Sequence, residues 1–327
     1  MPPTPKRIRL LVGPAEGSSS LEALLTGRGA LAPDAFRRVL QTGAITINRR
    51  RAKDGGEPLR PGDEVVAHLR ERRPGPRPTA LDLERLLFLD EVVVALDKPP
   101  GIAAQATATD LGAGLDAAAQ RLLRAKGEQN TWIGLVHRLD LETSGVTLFA
   151  RTPGIQRALA EQFRAGRVGK RYLALVAGAP AWEGRTVDLP IAPDRTRPGS
   201  FAVGPRGRPA RTELLRRRLF EGSGLSAALV EAHPRTGRTH QIRVHLASVG
   251  HPLLGDKRYG GPVLLTSRTG AQVVPPRVAL HASAVSFEHP RLGAMTLSAP
   301  WPADLASLER ALSVACESVK PFDARDP

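Results

Sequence analysis

The chain has 327 residues, and its 47 lysines and arginines against 32 aspartates and glutamates give it a formal net charge of +15. With 41% hydrophobic and 24% charged residues, the composition indicates a globular protein of one or two domains, and the charge predicts a polyanionic partner. The single cysteine, Cys316, excludes a disulfide framework, and no apolar run approaches the roughly 18–20 residues of a membrane-spanning helix.

Residues 1–70 have the pattern of a small amino-terminal domain. Their first apolar run is too short for a secretory signal peptide, so we expect a cytoplasmic protein without a membrane partner. Apolar residues at helical spacing predict helices over residues 21–25 and 33–42. Strands are predicted at residues 45–47 and 64–69.

Residues 71–84 are the predicted linker, because residues 71–80 hold three prolines and three arginines. A larger domain is predicted over residues 85–310 and a tail over residues 311–327. In this larger domain short apolar runs predict strands, and periodic apolar residues predict helices. The strands are expected at 92–96, 146–150, 172–176, 225–232 and 283–287, and the helices at 112–125, 155–163, 239–249 and 305–314.

A polar cluster from His137 to Gly145 stands directly ahead of a predicted strand. Loops at strand ends, held by a rigid scaffold, are where catalytic groups tend to lie. Beside Arg138 and His137, the carboxylate of Asp140 can be kept ionised and aimed, as a nucleophile or a general base requires. From composition alone, the same residues also fit a capped turn with an ordinary arginine–aspartate ion pair.

A second cluster runs from Pro234 to His245. Thr239 can cap the amino terminus of the predicted helix, and Arg238 and His240 in its first turn suit an anion such as a phosphate. Arg243 lies one turn beyond Thr239, so both can face the same site. The alternative is a basic, solvated helix end.

The sequence holds no cofactor motif that we can identify. It lacks a G-x-S-x-G elbow, a P-loop, an H-E-x-x-H pair and a dinucleotide fingerprint after the strand at Val92. His240 and His245 are five residues apart, which is poor spacing for joint metal ligation from a helix. We therefore expect neither cofactor nor metal. Residues 195–218 contain eight arginines and one acidic residue, Glu213, which places part of the positive charge there.

The two clusters and several shorter segments match a set of known motifs in the same order. The clusters read H-R-L-D-L-E-T-S-G from His137 and T-G-R-T-H-Q-I-R-V-H-L from Thr236. The shorter segments are D-K-P-P-G from Asp97, K-R-Y-L-A-L-V from Lys170, G-R-P-A-R-T from Gly207, G-H-P-L-L-G-D from Gly250 and L-H-A from Leu280. Over about residues 85–300 the chain thereby resembles the RluA-type family of RNA pseudouridine synthases.

The resemblance implies an α+β fold with a mixed, mainly antiparallel central sheet flanked by helices. It also implies an isomerase that converts uridine in RNA to pseudouridine without a cofactor. By resemblance, Asp140 is the essential carboxylate, Tyr172 packs on the uracil and assists the late deprotonation of C5, and Arg243 pairs with the carboxylate and keeps it charged. The resemblance leaves open whether Asp140 attacks the sugar or the uracil covalently or instead removes a ribose proton to give a glycal.

The resemblance further implies contacts with structured RNA. Arg138 matches the arginine that fills the space left when the uridine leaves the base stack. The other RNA contacts expected within the motifs are His137, Thr143, Lys170, Arg208, Arg211, Arg238 and His240. Large-subunit ribosomal RNA is favoured over transfer RNA as the partner, and a monomer is expected.

The choice of ribosomal RNA depends on residues 1–70, which resemble an alpha-L RNA-binding domain through the segments 43–48 and 59–63. The first helix of this domain lacks the usual arginines, so whether it contacts RNA stays open.

Two other functions fit parts of the sequence. A non-catalytic RNA-binding or ribosome-assembly factor could use the same fold, but it would not need Asp140, Tyr172 and Arg243 together. A glycoside hydrolase would need a second carboxylate, and Glu142 is the only acid close to Asp140 in a cationic segment. The motifs therefore favour an RNA-modifying enzyme.

Overall fold

The computed structural model describes residues 6–17, 19–41, 44–48, 50–52, 54–69, 81–105 and 114–317. Within it the chain divides into two units, one of Met1–Thr79 with Ala106–Gly114 and the other of Ala80–Gln105 with Leu115–Pro327. Residues 71–80 of the predicted linker and residues 318–327 of the predicted tail lie outside the described residues.

The first unit is a four-stranded sheet with two helices. Its strands are β1 (Lys6–Leu11), β2 (Ile45–Ile47), β3 (Arg50–Arg51) and β4 (Glu64–Leu69), in the order β1-β4-β2-β3, and its helices are α1 (Leu21–Gly27) and α2 (Pro33–Gln41). Leu21, Leu25 and Phe36 from the helices pack with Ile45 in one core. The predicted helices and strands are confirmed here, whereas β1 escaped prediction because charged residues interrupt its apolar pattern.

The second unit is built on a ten-stranded sheet with two small hairpins. Its strands are β5 (Leu86–Leu89), β6 (Val93–Lys98), β7 (Gly134–Leu135), β8 (Ser144–Ala150), β9 (Gly169–Ala177), β10 (Gly184–Asp188), β11 (Ile191–Pro193), β12 (Phe201–Val203), β13 (Arg211–Gly222), β14 (Leu225–Pro234), β15 (Leu265–Thr266), β16 (Gln272–Val273), β17 (Leu280–His289) and β18 (Gly293–Ser298). The main sheet has the order β10-β13-β14-β9-β17-β8-β6-β5, with β18 on β17 and β7 on β8, and the hairpins are β11-β12 and β15-β16.

Nearly every strand pair in the main sheet is antiparallel; β17 and β8 form its parallel pair. The predicted fold class, a mixed and mainly antiparallel sheet with flanking helices, is confirmed.

Four helices of the second unit pack on this sheet through apolar faces. They are α3 (Leu115–Ala125), α4 (Pro153–Arg164), α5 (Gln241–Ser248) and α6 (Ala303–Cys316). The residues 311–316, which we assigned to a tail, belong to α6, because Leu312 and Ala315 are buried in the core beside β13 and β14. In the described ranges, no helix combines the length and the apolar character needed to cross a membrane.

The parallel pair positions the loop that carries Asp140. Ala282 of β17 lies opposite Gly145 of β8, at the end of the His137–Gly145 cluster. Gly145 has φ +114°, and a Cβ at this position would lie 2.2 Å from the carbonyl oxygen of Ala282. Only glycine fits this backbone conformation and this close approach, which explains the last residue of the motif.

Candidate active site

A cavity of about 410 Å³ lies between the loop that precedes β8 and the loop that joins β14 to α5. Six cationic side chains line it: Arg138, Arg164, Lys170, Arg235, Arg238 and Arg243. Among the described lining residues, Asp140 is the single carboxylate. A concave site with this charge attracts a polyanion while offering one acid for chemistry.

Asp140 and Arg243 meet in this cavity, as the sequence predicted. Nη1 of Arg243 donates to Oδ2 of Asp140 at 3.3 Å, while Nε and Nη2 of the same guanidinium donate to the two oxygens of Asp256 at 2.7 and 2.8 Å. Burial alone would lower the pKa of Arg243, but its bonds to Asp256 and Asp140 raise it above the ordinary value. The side chain of Asp256 is 1% exposed and that of Asp140 is 27% exposed, so Asp256 anchors the arginine and Asp140 remains reachable.

Tyr259 and His240 complete the surroundings of the arginine. The guanidinium carbon of Arg243 lies 5.0 Å from the centre of the Tyr259 ring, and the Tyr259 hydroxyl lies 2.7 Å from Nδ1 of His240. His240 Nε2 is 3.9 Å from Asp140 Oδ2, and burial lowers the pKa of His240, with Asp140 opposing that shift. Burial thus favours the neutral form of the ring, which faces the carboxylate.

The predicted helix cap at Thr239 is wrong. Helix α5 begins at Gln241, and His240 occupies the capping position in the left-handed region, with φ +57° and no side-chain cap bond. The hydroxyl of Thr239 instead accepts a hydrogen bond from Nη2 of Arg138 at 3.3 Å. With this left-handed backbone at His240, the ring lies next to Tyr259 and Asp140.

Buried Lys98 holds the backbone next to Asp140. Its Nζ donates to the carbonyl oxygens of Pro99, Ile102 and Leu141 at 2.9, 2.9 and 3.0 Å, and the N–H of Gly101 donates to that same Leu141 oxygen at 2.8 Å. Burial and the nearby charge of Arg277, opposed by Asp140, lower the pKa of Lys98 to about 7. The D-K-P-P-G turn thus fastens the loop of the candidate acid.

Arg277 fastens the same loop from the other side. Its Nη1 donates to the carbonyl oxygen of Glu142 at 3.2 Å, and its Nη2 donates to Oγ of Ser144 at 2.9 Å. Its Nε also donates to Asp304 at 2.7 Å, which connects helix α6 to the loop.

Gln241 organises the second loop. Its side-chain oxygen accepts from the hydroxyl of Thr236 at 2.7 Å and from the N–H of Arg238 at 3.0 Å. Its side-chain nitrogen donates to the carbonyl oxygen of Arg211 at 2.9 Å and to the hydroxyl of Thr212 at 3.0 Å. Four bonds from one buried amide set the position of the cationic turn.

Tyr172 of β9 contributes to the cavity wall. Burial raises the pKa of its phenol above the ordinary value, and the nearby charge of Asp140 raises it further. Lys170 on the same strand donates to the carbonyl oxygen of Thr236 at 2.9 Å, and burial with the nearby Arg238 and Arg235 lowers its pKa to about 8.

The structure brings most of the predicted site residues together and leaves two outside. The predicted residues that line the cavity are Asp140, Tyr172, Arg243, Arg138, His137, Thr143, Lys170, Arg238 and His240. Arg208 and Arg211 do not line it, and Nη1 of Arg211 lies 3.5 Å from Asp188. The RNA contacts predicted for these two arginines stay predictions.

Sequence reasoning assigned no role to Asp256, Lys98, Gln241 or Arg277. Asp256 ends the G-H-P-L-L-G-D segment and Lys98 belongs to the D-K-P-P-G turn, so both stood within recognised motifs. In the part of the chain that the structure describes, no group of three His, Cys, Asp or Glu side chains could hold a metal ion.

This arrangement suits chemistry on a nucleotide. A reachable carboxylate paired with a buried arginine can act as a nucleophile or a base, and the surrounding cations can bind phosphates.

Comparison with known proteins identifies similar chains. The family model described as RNA pseudouridylate synthase matches residues 92–248. An RNA pseudouridine synthase of Mycobacterium bovis, described as uncharacterized, is 36% identical over 289 residues, which cover 84% of this chain and 88% of that protein. The ribosomal large subunit pseudouridine synthase C of Escherichia coli is 36% identical over 274 residues, which cover 80% of this chain and 83% of that protein.

A similar solved structure is human RNA pseudouridylate synthase domain containing 4. It has a TM-score of 0.54 and 25% sequence identity, and the match covers 70% of this chain and 93% of that one.

Proposed function

Because the chain belongs to the RNA pseudouridylate synthase family, whose members are isomerases that act on RNA, we propose that it converts specific uridines of large-subunit ribosomal RNA to pseudouridine with Asp140 as the catalytic carboxylate. The choice of RNA is supported by the similar proteins named ribosomal large subunit pseudouridine synthase C. The role of Asp140 is supported by its position as the single carboxylate, beside six cations, among the described residues that line the cavity.

The reaction needs one acid and no redox step. The bond between N1 of uracil and C1′ of ribose breaks, the base turns, C5 bonds to C1′, and the proton on C5 leaves while N1 gains one. Asp140 acts either by bonding to the sugar or the uracil or by removing a ribose proton to give a glycal. Arg243 favours both routes, because its hydrogen bond to Oδ2 aims the carboxylate.

Tyr172 contacts the base and assists the final deprotonation of C5. Its raised pKa keeps the phenol protonated and uncharged beside Asp140, so the ring can pack on uracil without repelling the acid. The cationic side chains at the cavity then contact the phosphates next to the extruded uridine.

We also propose that the enzyme acts as a monomer, in the cytoplasm where ribosomal RNA is found. Whether residues 1–70 form an alpha-L domain that contacts RNA stays a prediction.

Pseudouridine mapping tests this function directly. Total RNA from a deletion strain is treated with a pseudouridine-specific carbodiimide and compared with RNA from the parent strain. We expect at least one large-subunit position to lose its pseudouridine and to regain it when the wild-type gene is restored. A change confined to transfer RNA would redirect the substrate, and an unchanged map would contradict the proposal.

A further inference from the structure

The two ring nitrogens of His137, which lines the cavity of Asp140, have different surroundings. Nε2 accepts a hydrogen bond from the backbone N–H of Leu148 in β8 at 3.1 Å. Within the described ranges, Nδ1 has no hydrogen-bond partner, and it is not among the side-chain atoms that are both buried and unpaired. Nδ1 is therefore accessible at the cavity.

The bond to Leu148 determines the tautomer of His137. A ring nitrogen that accepts a hydrogen bond carries no proton, so the proton of the neutral ring must be on Nδ1. Burial, together with the nearby charge of Lys170, lowers the pKa of His137 to about 3. At physiological pH the ring is consequently neutral, with a single N–H that points away from Leu148.

The orientation of the His137 ring, and with it the direction of this N–H, is also fixed by packing. The His137 ring stacks on Phe163 of α4, with ring centres 4.5 Å apart and an angle of 18° between the planes. Packing against Phe163 and the backbone bond to Leu148 leave the ring little freedom, so the ordering cost is small when a ligand binds.

We propose that Nδ1–H of His137 donates a hydrogen bond to a carbonyl oxygen of the uracil in the cavity and so positions the base. This inference rests on the proposed function. A phosphate is better served by the charged Arg138 and Arg238 that line the same cavity, whereas an uncharged donor suits an uncharged carbonyl. Uracil offers two such oxygens, O2 and O4.

Two substitutions test the roles of the two ring nitrogens of His137 separately. The amide of glutamine reaches the place of Nε2, so His137→Gln keeps an acceptor for Leu148 and loses the donor at Nδ1. The amide of asparagine reaches the place of Nδ1, so His137→Asn keeps a donor and loses the bond to Leu148. We expect His137→Gln to raise KM about tenfold with kcat little changed and His137→Asn to raise KM less but lower Tm more.

The larger change in KM is expected in one variant and the larger change in Tm in the other, which distinguishes a positioning role of His137 from a purely structural one. If His137 only supported the fold, KM and Tm would worsen in the same variant. His251→Gln is the control, because His251 lies outside the cavity, with its Nδ1 bonded to the carbonyl oxygen of Ala177, and we expect it to retain the wild-type KM.

Modified substrates identify the oxygen. Large-subunit RNA carrying 2-thiouridine or 4-thiouridine replaces O2 or O4 with sulfur, a weaker acceptor. The substitution at the bonded oxygen should weaken binding to the wild type and have little further effect on His137→Gln. A wild-type KM for His137→Gln, or additive losses with both thiouridines, would overturn the inference. A wild type that forms no pseudouridine in unmodified large-subunit RNA would instead contradict the proposed function.

Discussion

At the scale of single residues, Asp140 is the one acid that the described residues contribute to a cationic cavity, and its substitution tests the chemistry without removing the binding surface. We expect Asp140→Asn to lower pseudouridine formation by at least about 10⁴-fold, because an amide can neither bond to the nucleotide nor accept its proton. RNA affinity should stay near that of the wild type in filter binding. Asp188→Asn removes an exposed carboxylate outside the cavity and should leave the rate unchanged. A comparable loss in both variants would contradict the role of Asp140.

Arg243 contacts two carboxylates with three nitrogens, and lysine cannot reproduce that geometry. We expect Arg243→Lys to lower kcat by about 10²–10³-fold, measured by single-turnover pseudouridine formation. The matched control is Arg217→Lys, since Arg217 makes a bidentate pair with Glu231 outside the cavity. Equal kcat values for Arg243→Lys and the wild type would show that the pairing is not needed.

His281 makes stability depend on pH. It is fully buried between the Ser144 hydroxyl and the carbonyl oxygen of Ala299, and burial lowers its pKa to about 4 from the ordinary 6.5. Below about pH 6.5 the unfolded chain binds a proton that the folded chain does not, so its contribution to stability is present above that pH and is lost as pH falls through about 4.

We expect the free energy of unfolding to fall between pH 6.5 and 4, with His281 contributing at most about 1.4 kcal/mol per pH unit. Urea unfolding at pH 7 and pH 5 measures the loss. The variant His281→Asn lacks the titrating group and should show a smaller loss on acidification. An identical loss in the two proteins would mean that His281 does not carry this dependence.

At the scale of elements, the parallel contact between β8 and β17 depends on the absence of a side chain at Gly145. We expect Gly145→Ala to destabilise the protein by about 3 kcal/mol or more, because the backbone strain adds to a collision with Ala282. The control is Gly270→Ala, which has φ +84° but nothing within 4 Å of the added Cβ, and which should cost only about 1 kcal/mol. Urea unfolding of the two variants measures the two losses in stability. Equal losses would show that the positive φ angle, and not the collision with Ala282, causes the whole effect.

The sequence predicted elements well where burial repeats at a regular spacing. Helix α4 and strand β4 were predicted within a few residues, because their apolar positions follow one period. Strand β13 was missed, because its partly exposed course carries Arg216, Arg217 and Arg218. Those arginines contact Pro180, Glu231 and Glu309, partners that only the folded sheet brings near.

The candidate site shows the same division. Asp140 and Arg243 could be paired from motifs, although 103 residues separate them. The roles of Asp256 and Arg277 could not be foreseen, because each depends on which loop faces which after folding. The sequence also could not predict that Thr239 lies outside the helix, because this depends on the left-handed backbone conformation of one residue, His240.

At the scale of the whole molecule, the cations behind the net charge of +15 differ in what their side chains contact. Arg217 and Arg218 of the basic segment form ion pairs with acids of this chain, whereas Arg238 lies at the cavity and donates to the carbonyl oxygen of Pro209. Because each ion pair has no net charge, the +15 is an excess of cations over acids, and cations at the cavity such as Arg238 contribute to the attraction for a polyanion.

Salt titration tests whether Arg238 takes part in RNA binding. We expect Arg238→Ala to weaken RNA binding and to reduce the slope of log K against log salt by about 1, since one phosphate contact is lost. The control is Arg291→Ala, because Arg291 is paired with Glu91 and is not a lining residue. An unchanged slope for Arg238→Ala would remove this arginine from the interface.

The anchoring of Arg243 by Asp256 bears on how the enzyme survives repeated turnover. One guanidinium serves two carboxylates, so the three groups together keep a formal charge of −1, and Asp140 is oriented without being neutralised. In the proposed reaction Asp140 gives up its negative charge, and Arg243 then loses one partner of two and stays in place through its paired bonds to Asp256. The site is thus restored once the product leaves, and no rearrangement of the arginine has to precede the next uridine.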